Sequence, residues 1–241
     1  MTAGRLLILA PLAYLGVFFL YPLVAILIRS LGDEAGYGLG SFRALLADSY
    51  YLGRIWFTIW QAVVSTLLTL AIGLPAAYLF ARYEFPGKTL LKAVTTLPFV
   101  MPTIVVAMGF VALFGSQGIV NTVLMDLFGL DDPPVRITNS LFIIFMAHAF
   151  YNYAIVVRIV SALWANLDPY LEQSATMLGA GRIRTFYHVT LPLLLPAIVS
   201  SSLLAFAFSF TSFGVVLILG GSQFATLEVA IYELTAKLFR L

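Results

Sequence analysis

The sequence contains no cysteine, which excludes a disulfide framework, thiolate nucleophiles and cysteine-based metal sites. Charge is nearly as scarce. Asp, Glu, Lys and Arg make up 10% of the 241 residues, against roughly 25% in soluble domains. A net charge of +2 is too small to form a basic surface for nucleic acid. No G-x-x-x-x-G-K-[ST] occurs, so the chain does not hold ATP through a P-loop, and no H-E-x-x-H or paired carboxylate stands in a setting suited to catalysis. Gly36-x-Gly38 is not a dinucleotide fingerprint, because Ser41 stands where the third glycine would be and no strand precedes it.

Hydrophobic residues make up 61% of the chain, more than a soluble core of this length can hide. They fall into five runs, about residues 6–28, 56–81, 93–114, 140–161 and 193–219, each long enough for a bilayer core that needs about 20 residues. The fold class expected is an all-α integral membrane protein, multi-pass, forming one transmembrane domain over residues 1–241. Arg5 and Arg29 bracket the first run, whose length exceeds the roughly 7–15 apolar residues of a cleaved signal peptide. Residues 32–49, with Asp33, Glu34, Arg43 and Asp48, read as a solvated loop with one short helix. Trp56, Trp60 and Tyr78 mark the interfaces of the second span, and Pro75 should kink it. In the third, Pro98 and Pro102 break the helix pattern and Gly109 leaves room for a close neighbour. Residues 115–139 read as a loop. Arg82, Lys88 and Lys92 crowd the second-to-third loop, and Arg182 and Arg184, with Arg158 near its entrance, the fourth-to-fifth. The third-to-fourth loop has only Arg136. This places the N-terminus in the cytoplasm, although Arg29, Arg43 and Arg54 then lie outside.

Residues 168–190 form the one long polar interval that leads directly into an apolar run. Asp168 suits an N-cap and Pro169 the first helical position. Leu171, Ala175 and Leu178 share a face, Glu172 meets the positive end of the helix dipole, and Gly179 can supply the left-handed residue that ends the helix. Residues 182–188 make a second short piece before Leu191-Pro192 opens the next span. Two short helices at an angle, outside the bilayer, are predicted.

This spacing resembles the cytoplasmic loop of the inner-membrane permease subunits of binding-protein-dependent ABC importers. That loop reads E-A-A, three residues, G, nine residues, I, one residue, L-P. Gly179 anchors the match, with Val189 in the Ile place and Leu191 and Pro192 in the Leu-Pro place. Gln173, Ser174 and Ala175 stand where Glu-Ala-Ala is usual, and Glu172 comes one residue early. Residues 82–88 (RYEFPGK) and 220–234 resemble the ferric-iron and thiamine permeases of that family. The resemblance implies a type I importer-like helical bundle in a bacterial inner membrane. Leu171, Glu172, Gln173, Ser174, Ala175, Leu178, Gly179, Ala180, Gly181 and Arg182 would couple it to a cytoplasmic ABC ATPase dimer that carries ATP and Mg. An extracytoplasmic solute-binding protein and a second permease half, in the same chain or another, would complete the importer. Ferric iron or thiamine would be the solute, and no cofactor or metal is expected on this chain.

Apart from Arg158, the spans hold no Asp, Glu, Lys or Arg, which weighs against ion-coupled transport. Their polar groups include His148 and Asn152, one turn apart, and Ser209. With Phe210, Thr211, Phe213 and Gly214 these are candidates for the translocation path. Interhelical hydrogen bonding, worth about 0.6 kcal/mol on average in such bundles, serves equally for the polar members. A membrane enzyme centred on His148 has no carboxylate or Cys to work with, and a non-transporting scaffold subunit is the other alternative. Residues 227–241 form an amphipathic segment with Ala230, Ile231, Leu234 and Leu238 on its apolar face, from which a further span and a repeat of the motif beyond Leu241 are expected.

Overall fold

The computed structural model describes residue 9 and residues 11–33, 36–221 and 223–237. Arg5, Glu34, Leu238 and the start of the first predicted span lie outside the described residues. The chain divides into two compact units, one ending at Gly53 and the other starting at Arg54.

In the first unit, α1 (Pro11–Ser30) has 20 residues, a length of about 30 Å at 1.5 Å per residue, equal to a bilayer core. A two-residue antiparallel ladder follows, β1 (Gly32–Asp33) with β2 (Gly36–Tyr37), and then α2 (Gly40–Ala47). The expected short helix is therefore accompanied by a hairpin.

The larger unit is built on α7 (Leu141–Ala165), the most buried of the five described stretches long and apolar enough to cross a membrane. One face of the interior joins α7 to α5 (Thr103–Phe114) and α10 (Phe213–Leu219) through Ile143, Ile144, Ala147, Val106, Ala107, Val215 and Val216. Another joins it to α3 (Ser49–Arg82) and α9 (Arg182–Phe210) through Ala77, Val156, Val160, Trp164 and Leu194. Helices approach this closely in a membrane only where one offers a small residue. At Gly73 an added Cβ would stand 2.7 Å from Val156, whereas at Gly109 it would meet nothing within 4 Å. Within this chain the close approach is made at Gly73, and Gly109 faces open space.

Pro75 lies inside α3. The third span breaks at Pro102, as expected, into α4 (Lys88–Val100) and α5, because Pro102 drives Met101 into extended backbone (φ −73°, ψ 142°). Three expectations change. Pro98 lies inside α4 without ending it. The expected loop 115–139 contains α6 (Ile119–Phe128). Asn121, buried, fixes it by donating to the carbonyls of Gly115 and Val135 and accepting from the Val135 N–H, each at 2.8 Å. The fifth span breaks at Thr211-Ser212, between α9 and α10.

Both π turns that adjoin long helices, Gly16–Leu20 and Phe186–Thr190, stand two residues before a proline, Pro22 and Pro192. A proline removes one ladder N–H and crowds the carbonyl four residues back. The wider turn takes up that mismatch, so Pro192 does not open a new helix: α9 runs unbroken from the loop into the span.

Candidate functional site

The polar loop at residues 168–190 is built by its own caps. Asp168 Oδ1 accepts the Tyr170 N–H at 2.9 Å and Pro169 opens α8 (Pro169–Met177). At the other end Gly179 has φ +87°. Its N–H reaches the Thr176 carbonyl at 2.9 Å and the Ala180 N–H the Ala175 carbonyl at 3.1 Å, a Schellman motif. The helix is stopped at both ends by local chemistry, as the residues predicted. The second short helix is different: its residues are the first turns of α9, so a rigid rod joins the loop directly to the span.

The predicted coupling residues separate into two sets. Leu171, Gln173, Ser174, Leu178, Gly179, Gly181 and Arg182 are exposed, while Glu172, Ala175 and Ala180 are half-buried. Met177 and Leu178, each 89% exposed, form an apolar tip with Leu171. Glu172 holds the helix to the rest of the unit. Its Oε1 accepts from Arg82 Nη2 in an ion pair and from the Thr190 hydroxyl at 2.8 Å. It thereby joins the last turn of α3, the loop helix and the π turn of α9. Sequence reasoning singled out Glu172 and Arg82 separately and missed their pairing. The only hint was that Glu172 stands one place ahead of the usual Glu.

In the turn after α3, Lys88 Nζ meets Glu84 at 2.6 Å. That hydrogen bond, reinforced by the ammonium charge, holds the Glu84 carboxyl below the ordinary glutamate value.

The interior polar residues meet at the break between α9 and α10. Phe213 N–H turns to the Thr211 carbonyl at 3.0 Å, leaving the Ser209 carbonyl without the bond a continuous helix would give it. Gln61 of α3 supplies that bond from Nε2 at 2.8 Å. His148 of α7 bridges Ser65 Oγ at 2.8 Å and Ser212 Oγ at 2.7 Å; in the neutral ring one nitrogen donates and the other accepts. Asn152 Nδ2 donates to Ser209 Oγ at 3.1 Å. Non-helical backbone at membrane depth survives where it is buried in protein or lines a water-filled cavity; here Gln61 satisfies the freed carbonyl, while the buried His148 and Asn152 bond the hydroxyls of Ser65, Ser212 and Ser209.

The other path candidates make separate contacts. Thr211 is exposed and its hydroxyl donates to the Ala207 carbonyl. Phe210 packs near Phe206, ring centroids 5.6 Å apart, while Phe213 meets Tyr232 edge-on at 5.2 Å. Gly214 is buried where an added Cβ would stand 2.8 Å from Thr103 Oγ1.

A further stitch lies at the far end of α3. Arg54 Nη1 donates to the Ala225 carbonyl at 3.3 Å, and Thr58 Oγ1 accepts the Leu227 N–H at 2.9 Å, capping α11 (Leu227–Tyr232) from another helix.

The sequence profile described as "Binding-protein-dependent transport system inner membrane component" matches residues 69–236. PhnU of Salmonella typhi, a permease named for 2-aminoethylphosphonate transport, is 29% identical over 94% of this chain and 78% of its own length. The thiamine transport system permease protein ThiP of Brucella abortus is 33% identical over 91% of this chain and 40% of its own length. The molybdenum transport system permease protein ModB of Escherichia coli is 37% identical over 64% of this chain and 69% of its own. A solved structure of a bacterial ABC transporter that imports the acidic polysaccharide alginate superposes with a TM-score of 0.79 over 99% of this chain and 85% of that one, at 18% identity, a likeness of fold.

Proposed function

Because the chain belongs to the family of binding-protein-dependent transport system inner membrane components and is a permease subunit of an ABC importer, we propose that residues 168–190 are where a cytoplasmic ATPase dimer drives it. The supporting observation is the exposed apolar tip Leu171, Met177 and Leu178 on a helix capped at both ends. Exposed apolar side chains on a rigid support, outside the spans, suit a partner's groove. The unbroken α9 would carry a push on that tip into the span without loss in a hinge.

ATP and Mg are held by the partner, and the Lys and Arg distribution favours a cytoplasmic N-terminus. An extracytoplasmic binding protein delivers the solute, and a second set of spans, in this chain or another, completes the path. The solute is a small polar molecule; the names of the relatives point to 2-aminoethylphosphonate, thiamine or an oxyanion such as molybdate, and none of these supports ferric iron. Replacing Leu171→Asp together with Leu178→Asp should leave membrane insertion intact and reduce co-purification of the ATPase at least tenfold. Normal co-purification by the inserted variant would overturn the proposal.

A further inference from the structure

Beneath the loop, an open pocket of about 430 Å³ is lined by the C-terminal ends of α3 and α7, the helix α8 and the first turns of α9. Two of its lining residues, Trp164 and Thr185, are 5% and 7% exposed, and their side-chain polar atoms, the indole Nε1 and the hydroxyl Oγ1, have no hydrogen-bond partner among the described residues. Native interiors seldom keep such groups unmet without a ligand or water. The indole N–H can only donate, and a guanidinium likewise has no acceptor. Arg82 and Arg182 both line the pocket against one carboxylate, Glu172. That carboxylate is already engaged by Arg82 and Thr190, and Arg182 has no ion-pair partner among the described residues. The wall is therefore rich in donors and carries one positive charge in excess.

We propose that this pocket binds a small oxyanion, with the Trp164 indole N–H, the Thr185 hydroxyl and the Arg182 guanidinium as its donors. A charged acceptor shared by such groups makes stronger hydrogen bonds than a neutral one. The site lies at the junction of the coupling loop with the spans, so its occupant would brace the same joint that Glu172 holds. It does not depend on the ATPase seat proposed above. A free phosphate or the phosphoryl group of a lipid offers the same chemistry.

Trp164 is itself the reporter, since the chain has three tryptophans and Trp56→Phe with Trp60→Phe leaves Trp164 alone. The assembled importer carrying those two changes is purified in maltoside free of phospholipid. Its emission is then followed with the Trp164→Phe complex subtracted. Inorganic phosphate is titrated at constant ionic strength against chloride in one arm, and short-chain phosphatidylglycerol without phosphate in the other. A saturable change in Trp164 emission is expected, weakened at least tenfold by Arg182→Gln and by Thr185→Val. Response to phosphate alone identifies a free anion, and response to lipid alone identifies a headgroup. No saturable response in either arm, or an undiminished response in both variants, overturns the proposal.

Discussion

Removing the Glu172 carboxylate should loosen the loop without unfolding the spans. The carboxylate oxygen receives two bonds, one from Arg82 and one from the Thr190 hydroxyl. The ion-pair side chains are 25% and 31% exposed, so the Coulomb part is screened and contributes about 0.2–1 kcal/mol. A net hydrogen bond adds about 1 kcal/mol. Glu172→Ala should therefore weaken the docking of α8 by about 1–2 kcal/mol, a factor of about 5–30 in the open population. Amide hydrogen exchange read on peptides covering residues 169–179, with the importer in nanodiscs, should accelerate by that factor, while peptides from α7 keep their protection. Glu172→Gln keeps an acceptor for Thr190 and should lose about half as much. The charge swap Glu172→Arg with Arg82→Glu should recover the ion-pair share only. Unchanged exchange in Glu172→Ala, or equal acceleration across α7, would refute this account of the junction.

Gly73→Ala should destabilise the assembled bundle by about 1–3 kcal/mol, because its Cβ would stand 2.7 Å from Val156. Gly109→Ala should be neutral or slightly stabilising, and Tm values in detergent compare the two. Gln61→Leu strands the Ser209 carbonyl, buried at the break, and should cost about 1–3 kcal/mol by the same measurement; an unchanged Tm would mean that another group takes the carbonyl. Since the chain has no cysteine, Pro86→Cys and Asp131→Cys serve as single labelling sites. An impermeant maleimide should reach residue 131 in intact cells and residue 86 only after permeabilisation, and the reverse would place the N-terminus outside.

The interior residues show how far a sequence pattern reaches. Runs of apolar residues report a solvent, and α1, α3 and α7 could be read because spanning a bilayer demands about 20 such residues wherever they fall. Asp168 and Gly179 could be read because a cap is satisfied within a few residues of itself. What those cues left open was partnership. Whether Pro192 opens a helix or sits inside one depended on the π turn before it. Which partners His148 and Asn152 take depended on where the fold placed the hydroxyls of Ser65, Ser209 and Ser212.

By itself, then, the sequence determined a helical membrane chain with a capped, polar loop at a recognisable spacing, since hydropathy and capping are local quantities. Only the tertiary structure decided that Glu172 is tied to Arg82, 90 positions away, that Gly73 stands against Val156, and that Trp164 and Thr185 line one pocket. Those outcomes depend on which helices come together, and a buried polar group takes the nearest partner in space whatever its distance along the chain.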